Sequence, residues 1–148
     1  IFHKICNNPN LLEKGIAKVF NAMSSDEMLE RVREIIEAIH DKKMRPKADS
    51  FAKAKAESLG SSNWNRIVKA AIQGRVDTLL VEKDKMIPGQ IDFETGQVQL
   101  GNMDNPKNDD VFDDLAELVL YAKGNVLVLN KEIMPTDTGI AAIFRYKE

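Results

Sequence analysis

The sequence predicts an α/β fold, and three segments carry this prediction. Residues 110–122 have apolar side chains at the 3/4 spacing of one helix face, and residues 126–129 form a short uninterrupted apolar run. A second run of strand length covers residues 76–82, upstream of that helix. Two strands joined through a helix pair in parallel with a right-handed crossover, so we expect these two runs to be neighbours in one sheet.

The chain is predicted to be helical from residue 24 onward. Ser24 and Glu27 have the S-x-x-E pattern of a capping box, in which each side chain accepts a hydrogen bond from the other residue's main chain. An apolar stripe follows, made of Met28, Leu29, Val32, Ile35, Ile36 and Ile39. Because Pro46 lacks a main-chain N–H, the helix is expected to end or kink near Arg45, and a second helical stretch is expected over residues 47–59.

A third helix is predicted just before residue 74. Ser61 or Ser62 is expected to cap its N-terminus, and Gly74 lies where a helix stops. The inward face is expected to carry Trp64, Ile67, Val68, Ala71 and Ile72. A Trp at helical spacing on an apolar face indicates a core position, and the alternative is a platform on which bases stack.

A hairpin and a final strand complete the predicted sheet. Residues 90–93 and 97–100 flank Glu94-Thr95-Gly96, a turn sequence that ends in Gly. A polar loop over residues 101–108 leads into the last helix, and residues 140–144 repeat the short apolar run of a buried strand.

Composition indicates a soluble, cytoplasmic domain without a cofactor. The 148 residues are 43% hydrophobic and 30% charged, and no apolar stretch reaches the roughly 18–20 residues that span a bilayer. The single cysteine, Cys6, permits no internal disulfide. His3, Cys6 and His40 are too scattered for a zinc site, and no glycine-rich phosphate-binding motif is present in the sequence. We therefore expect no cofactor and no membrane insertion.

The net charge of −2 conceals an asymmetry between the two halves. Residues 1–75 have 14 Lys and Arg against 9 Asp and Glu, whereas residues 76–148 have 7 against 14. Nine basic residues stand between positions 42 and 75, with only two acidic ones: Lys42, Lys43, Arg45, Lys47, Lys53, Lys55, Arg66, Lys69 and Arg75. Such a stretch is a candidate surface for RNA or for an acidic partner, and the alternative is a solvated helical face.

One tripeptide resembles a catalytic motif. Asp137-Thr138-Gly139 matches the sequence that carries the catalytic Asp of aspartic proteases. Their chemistry needs two such carboxylates, so a single copy would require a homodimer. The alternative, which we favour, is a turn in which Asp137 bonds nearby main chain and Gly139 supplies conformational freedom before the last strand.

Four acidic residues resemble a cluster for a divalent cation. They are Asp109, Asp110, Asp113 and Asp114. They also occupy the first turns of the last helix, where the helix dipole favours negative charge. Their spacing does not match an EF-hand loop. We interpret them as helix-capping residues and predict no metal site.

Three motifs resemble the C-terminal domain of archaeal and eukaryotic peptide-chain release factors and Pelota. The motifs are Gln73–Leu79, Ile91–Gly96 and Met134–Tyr146, and they are similar above all to the bacterial archaeo-eukaryotic release factor family. The resemblance extends over residues 11–146. It implies a three-layer α/β/α sandwich with a mixed sheet, similar to the kink-turn-binding ribosomal proteins, preceded by a long N-terminal helical segment.

The expected domain organisation follows from the same resemblance and from the lack of a clear hydrophobic pattern in the first residues. Residues 1–22 are expected to be the tail of a missing upstream domain plus a linker. Residues 23–148 are expected to form the release-factor-like domain. Within it, the helical segment covers residues 24–60 and the sandwich covers residues 61–148.

The resemblance also implies a function. In release factors this domain is not the catalytic one: it docks a translational GTPase and other ribosome-associated factors. The catalytic Gly-Gly-Gln tripeptide lies in a separate domain, and Pro88-Gly89-Gln90 differs from it in the first residue and runs into a predicted strand. We therefore expect a non-catalytic docking domain acting in translation at or near the ribosome. Binding of structured RNA through the nine basic residues and a homodimeric protease using Asp137 are the alternatives, and the oligomeric state stays open.

Overall fold

The computed structural model of the chain describes residues 23–101 and 109–147. The chain divides into two compact units, residues 1–39 and 40–148, and the first helix, α1 (Ser25–Ala56), contributes residues to both. At the start of α1, Ser24 Oγ accepts from the Glu27 N–H and Glu27 Oε2 accepts from the Ser24 N–H, each at 3.2 Å. The predicted capping box is confirmed. The predictions made for residues 1–22 lie outside the described residues.

The apolar stripe in the first unit is largely exposed. Leu29 is 66% exposed and Ile36 is 59% exposed. The described part of this unit is residues 23–39, and α1 is the only helix or strand in it. No other described element of the same unit therefore covers the stripe. The helix is supported there by its cap and by the ion pairs Arg31–Glu34 and Arg33–Glu30, at 3.4 and 3.5 Å. Exposed pairs of this kind contribute roughly 0–1 kcal/mol.

Helix α1 continues through Pro46 to Ala56. Of the predicted end or kink near Arg45, the end is therefore wrong, and the second stretch predicted over residues 47–59 belongs to the same helix. The proline removes the hydrogen bond that residue 46 would donate to the Lys42 carbonyl, at a cost of about 3 kcal/mol or more. Beyond it, Phe51, with Ala48 and Ala54, is buried in the second unit. Burial of one large apolar side chain contributes about 1.5–3 kcal/mol. Packing beyond the proline therefore offsets the lost hydrogen bond.

The second unit is built around a four-stranded sheet. Its strands are β1 (Gly60–Ser61), β2 (Val76–Glu82), β6 (Asn125–Leu129) and β7 (Ile140–Phe144), in the order β1-β7-β2-β6. Strands β2 and β6 pair in parallel, with Leu79 opposite Val126, as predicted. Strand β7 is antiparallel to both β1 and β2, so the sheet is mixed.

Helices cover both faces of this sheet. One core joins Leu79 and Ile140 to residues of α2 (Trp64–Ile72) and α3 (Val111–Tyr121). The other core joins Leu80 and Ala141 to Phe51 of α1. Neighbouring residues of a strand point to opposite faces, which is why Leu79 and Leu80 belong to different cores. The unit is the α/β/α sandwich with a mixed sheet that the resemblance implied.

A second, smaller sheet contains the predicted hairpin. It consists of β3 (Pro88–Asp92), β4 (Gln97–Leu100) and β5 (Asp109–Asp110), antiparallel and in the order β4-β3-β5. The hairpin is confirmed, with Asp92 opposite Gln97 and Gly96 at φ +68° in the turn. The loop predicted over residues 101–108 lies outside the described residues, except for Gly101.

The predicted cap of α2 is wrong by one or two residues. Asn63 is the N-cap, and its Oδ1 accepts from the Arg66 N–H at 3.1 Å. Ser61 instead belongs to β1, opposite Ala142, and its hydroxyl accepts from the Asn63 N–H. A residue paired in a strand is not in position to start a helix two residues later. The role therefore passes to Asn63, an equally good capping residue.

The predicted apolar face of α3 is confirmed. Val111, Leu115 and Val119 are fully buried. Between β6 and β7 the chain forms a single 3-10 turn over Lys131–Ile133.

Candidate functional site

The nine basic candidate residues lie on two parts of the second unit. Six lie on α1 and are exposed: Lys42, Lys43, Arg45, Lys47, Lys53 and Lys55. Of the other three, Arg66 and Lys69 lie on α2 and Arg75 immediately precedes β2. Lys69 is exposed, Arg66 is half-buried and Arg75 is buried. The nine residues therefore form two groups with different surroundings.

The α1 group includes a positively charged face. At 100° per residue, Lys42, Arg45 and Lys53 fall within an arc of about 80° on the side of the helix opposite buried Phe51. Asp49 is the acidic residue of the same face. This face therefore presents an excess of positive charge to solvent.

Lys47 lies at the edge of α1 in a small cleft. The cleft has a volume of about 260 Å³ and is lined by Lys47, Ser50, Asp77, Thr78 and Ile143. Because it contains one basic and one acidic side chain, its charge does not favour an anion over a cation.

Arg66 and Arg75 contact aromatic rings at the end of β7. The Cζ atom of Arg66 lies 5.5 Å from the centre of the Phe144 ring. The Cζ atom of Arg75 lies 5.8 Å from the same centre and 5.6 Å from the centre of the Tyr146 ring. Arg75 also donates from Nη1 to Gln73 Oε1 at 2.9 Å. Both guanidinium groups therefore have structural contacts within the domain.

Lys69 borders a shallow groove next to the hairpin turn. The groove has a volume of about 260 Å³ and is lined by Lys69, Ile72, Gln73 and residues 94–96. Asp92 fixes the turn, because its carboxylate accepts from the Thr95 hydroxyl at 2.6 Å and from the N–H groups of Glu94 and Thr95. The bond from the Thr95 hydroxyl, followed by those main-chain bonds, lowers the pKa of Asp92.

Pro88-Gly89-Gln90 is part of strand β3, in which Gly89 is buried and Gln90 is exposed. Gly89 pairs with Leu100 of β4 on one side and with Asp109 of β5 on the other. A Cβ atom at Gly89 would lie 2.6 Å from the Gln99 carbonyl oxygen and 2.8 Å from Val111 Cγ2. The glycine is therefore required by close packing, and the prediction that this tripeptide begins a hairpin is confirmed.

Asp137-Thr138-Gly139 forms the predicted turn. Gly139 has φ +78°, and the hydroxyls of Thr136 and Thr138 donate to the Ile140 carbonyl at 2.8 and 3.1 Å. The Asp137 carbonyl accepts from Lys85 Nζ at 3.4 Å. The side chains that bond the nearby main chain in this turn are therefore those of two threonines, whereas the sequence suggested the side chain of Asp137. The tripeptide thus has a structural explanation that needs no second carboxylate.

The acidic residues before α3 include its N-cap. Asp110 Oδ1 accepts from the Phe112 N–H and from the Ile87 N–H, each at 3.1 Å. The capping role predicted for this cluster is confirmed at Asp110. Burial raises the pKa of Asp114, and the neighbouring carboxylates, Asp109 first, raise it further.

The remaining candidate side chains are separated. His40 donates from Nε2 to the Val128 carbonyl at 3.0 Å, which joins α1 to β6. His3 and Cys6 lie outside the described residues. Over residues 23–101 and 109–147, no group of three or more His, Cys, Asp or Glu side chains is placed to hold a metal ion. Among those residues, none of the helices is long and apolar enough to cross a membrane.

Tyr146 is not among the candidate site residues predicted from the sequence. A signal was present, since two aromatic residues, Phe144 and Tyr146, alternate with Arg145 where β7 ends. The pairing of those rings with Arg66 and Arg75 depends on contacts distant in sequence, which a local pattern does not reveal.

The fold is that of the C-terminal domain of peptide-chain release factors and Pelota. A C-terminal domain of a release factor from Methanosarcina mazei is similar over 85% of this chain and 98% of that domain, with 16% identity and a TM-score of 0.59. An archaeal Pelota, described as ribosome-bound and with ABCE1, is similar over 93% of this chain and 35% of its own, with 18% identity and a TM-score of 0.54. Dom34 from S. cerevisiae is similar over 72% and 28%, with 21% identity and a TM-score of 0.50.

The family is established by the N-terminal half of the chain. Residues 1–75 of 148 match the bacterial archaeo-eukaryotic release factor family 3, and the chain belongs to this family. No curated protein matches the chain. The chain spans about a third of the Pelota and Dom34 chains.

Proposed function

We propose that this chain is a non-catalytic docking domain of a release-factor-like protein that acts in translation at or near the ribosome. The observation that carries the proposal is the similarity to 98% of a release factor's C-terminal domain, in a chain that belongs to a bacterial release-factor family. The partner would be the ribosome or a translation factor, such as a translational GTPase.

The names of two similar proteins support this choice of partner. The archaeal Pelota is described as ribosome-bound together with ABCE1. Dom34 is described as a translation termination-like factor that interacts with Hbs1. A docking role also agrees with the local geometry, because the two tripeptides that resemble catalytic motifs are a paired strand and a hydrogen-bonded turn.

Co-sedimentation with purified bacterial ribosomes tests the proposal. At low salt we expect the chain to pellet with ribosomes or with one subunit, and to stay in the supernatant when ribosomes are omitted. A chain that stays in the supernatant with intact ribosomes and with both separated subunits would remove ribosome docking from the proposal. Adding purified translational GTPases to the same assay tests the second class of partner.

Binding of structured RNA through α1 is a second candidate function. It is favoured by the placement of Lys42, Arg45 and Lys53 on one exposed face of the helix. Contacts to phosphates release counterions, so the affinity should fall steeply as salt rises.

A triple variant tests this second function. Replacing Lys42, Arg45 and Lys53 by Ala should reduce the slope of log affinity against log salt by about 2–3, since each lost phosphate contact removes about 0.7 for a single strand and about 0.9 for a duplex. The matched control is Lys131→Ala, which removes an exposed basic side chain from the 3-10 turn. A flat salt response of the unmodified chain would eliminate RNA binding by this face.

A further inference from the structure

Two arginines and two aromatic rings alternate at the end of β7. In spatial order they are Arg66, Phe144, Arg75 and Tyr146, with guanidinium carbons 5.5, 5.8 and 5.6 Å from the ring centres they face. These distances lie within the range of about 6 Å over which a cation and an aromatic ring attract each other. We refer to these four side chains as the Arg–aromatic ladder.

The inner part of the ladder is fixed in place. Phe144 and Arg75 are only 3% and 7% exposed. The main-chain N–H of Arg145 donates to the Arg75 carbonyl at 2.9 Å, which holds the segment after β7 beside the start of β2. Phe144 is the last residue of β7, and Tyr146 lies in the bend that follows it. Arg75 contacts both rings.

The outer end of the ladder is open to solvent. Tyr146 is 54% exposed, although Arg75 contacts its ring. An aromatic ring supported underneath by a buried cation is held in one orientation without being covered. Because the ring is already ordered, a planar group can stack on its exposed part at little cost in side-chain entropy.

Exposed basic residues precede and follow this ring in the chain. Arg145 and Lys147 adjoin Tyr146 in the chain, and all three are exposed. Arg145 also donates from Nη2 to the Lys123 carbonyl at 2.9 Å, so Lys123, another exposed basic residue, lies at the same end of the sandwich. A planar aromatic ring next to exposed basic residues suits a nucleobase with its flanking phosphates.

We propose that the exposed face of Tyr146 stacks on a base of single-stranded RNA, while Lys123, Arg145 and Lys147 contact the adjacent phosphates. This site goes beyond ribosome docking and differs from the basic face of α1. An acidic peptide would use the same three cations but would gain little from the tyrosine ring. The contribution of the ring therefore distinguishes RNA from an acidic protein partner.

The test is the binding of a short labelled oligouridine to the full chain at low salt, followed by fluorescence anisotropy. Loss of one base–aromatic stack should weaken binding on the order of tenfold in Tyr146→Leu. Tyr146→Phe keeps the ring and should bind as the unmodified chain does. The matched control is Tyr121→Leu, because Tyr121 is 90% exposed and lies outside the ladder. Circular dichroism of each variant establishes that it is folded.

Three outcomes would overturn the proposal. They are the absence of oligouridine binding by the unmodified chain, equal affinity of Tyr146→Leu and the unmodified chain, and equal loss of affinity in Tyr121→Leu and Tyr146→Leu. Oligouridine binding that is equally tight in Tyr146→Leu and is displaced by polyglutamate would assign the cations to an acidic partner and would refute RNA stacking. If Tyr146→Leu does not fold, the affinities of Tyr146→Ala and Tyr146→Trp for oligouridine decide the question. Binding should weaken in Tyr146→Ala, which has no ring, and should not weaken in Tyr146→Trp, which has a larger ring.

The two proposals fail separately. Ribosome co-sedimentation of Tyr146→Leu should match that of the unmodified chain if docking uses another surface. If the unmodified chain does not bind ribosomes but binds oligouridine through Tyr146, only the proposed docking function is refuted. If it binds ribosomes but does not bind oligouridine through Tyr146, only the stacking site is refuted.

Discussion

Arg145 donates from Nη2 to the carbonyl oxygen of Lys123 at 2.9 Å and to that of Ala122 at 3.0 Å. Ala122 is the C-cap of helix α3 and Lys123 follows it, and α3 has no basic residue in its own last turn. The last carbonyls of a helix lack intrahelical donors, and the helix dipole is negative there. A side chain from the end of β7 therefore supplies the charge and the donors that the sequence of α3 omits.

Replacing Arg145 by Met should destabilise the protein. Two hydrogen bonds from a charged donor are lost at a partly solvated helix end, so we expect the free energy of unfolding to fall by about 1–2 kcal/mol. Urea denaturation measures the change. The matched control is Arg33→Met, which breaks the exposed pair with Glu30 at 3.5 Å and should have an effect near zero. Equal losses in the two variants would contradict a specific role for Arg145.

Asp110 should be the most important acidic residue before α3. Its Oδ1 atom accepts from both Phe112 and Ile87, so Asp110→Ala leaves two main-chain donors without this acceptor and should cost about 1–2 kcal/mol in urea denaturation. Asp110→Asn keeps a carbonyl oxygen in place and should lose less. The control is Asp113→Ala, at an exposed position of the first turn. An Asp113→Ala loss as large as that of Asp110→Ala would refute the assignment of the cap.

Replacing Pro46 by Ala should stabilise the protein. Alanine restores the N–H that the Lys42 carbonyl lacks and relieves the ring's crowding against the preceding turn, worth about 3 kcal/mol. The more flexible unfolded chain offsets about 0.4–1 kcal/mol of this gain, which leaves a net increase of about 2 kcal/mol. Thermal denaturation followed by circular dichroism measures it. A lower melting temperature would mean that a bend at Pro46 is needed for Phe51 and Ala54 to reach their buried positions.

Asp114 should make stability depend on pH in a predictable direction. Burial raises the pKa of its carboxyl above the ordinary value of 3.8, so the native state holds this proton more tightly than the unfolded state does. Ionisation therefore reduces stability as the pH rises from 3.8, the penalty is complete above the folded-state pKa, and it is absent below 3.8. Asp114→Asn should accordingly raise the melting temperature at neutral pH.

The pH profile of the two proteins checks this expectation. The gain from Asp114→Asn should shrink as the pH is lowered toward 3.8 and vanish below it. Asp113→Asn removes the same charge from an exposed position and should give a smaller gain. A gain that is constant with pH would show that packing of the amide, and not the charge of Asp114, causes the change.

The parts of the fold that could be predicted from sequence are those in which a local pattern decides the structure. The apolar runs at residues 76–82, 126–129 and 140–144 are strands, and the helical spacing before residue 122 is α3. The capping box at Ser24 was also predictable, because both of its partners lie within four residues.

The parts that could not be predicted depend on contacts distant in sequence. The helix passes Pro46 because Phe51 packs into a core with Leu80, which follows far downstream. Ser61 is unavailable as a cap because it pairs with Ala142 in β1. The two-residue strands β1 and β5 are too short to leave a pattern. The Arg–aromatic ladder also depends on contacts distant in sequence, so no local motif predicts it.

The register of β2 in the sheet depends on its charged residues as well as on its apolar ones. Leu79, Leu80 and Val81 are all buried, so a shift by one residue would exchange these apolar side chains between the two cores. The buried position of Val76, however, is flanked by Arg75 and Asp77, so a shift in either direction would place a charged side chain there. The cost of burying that charge therefore selects the native alignment.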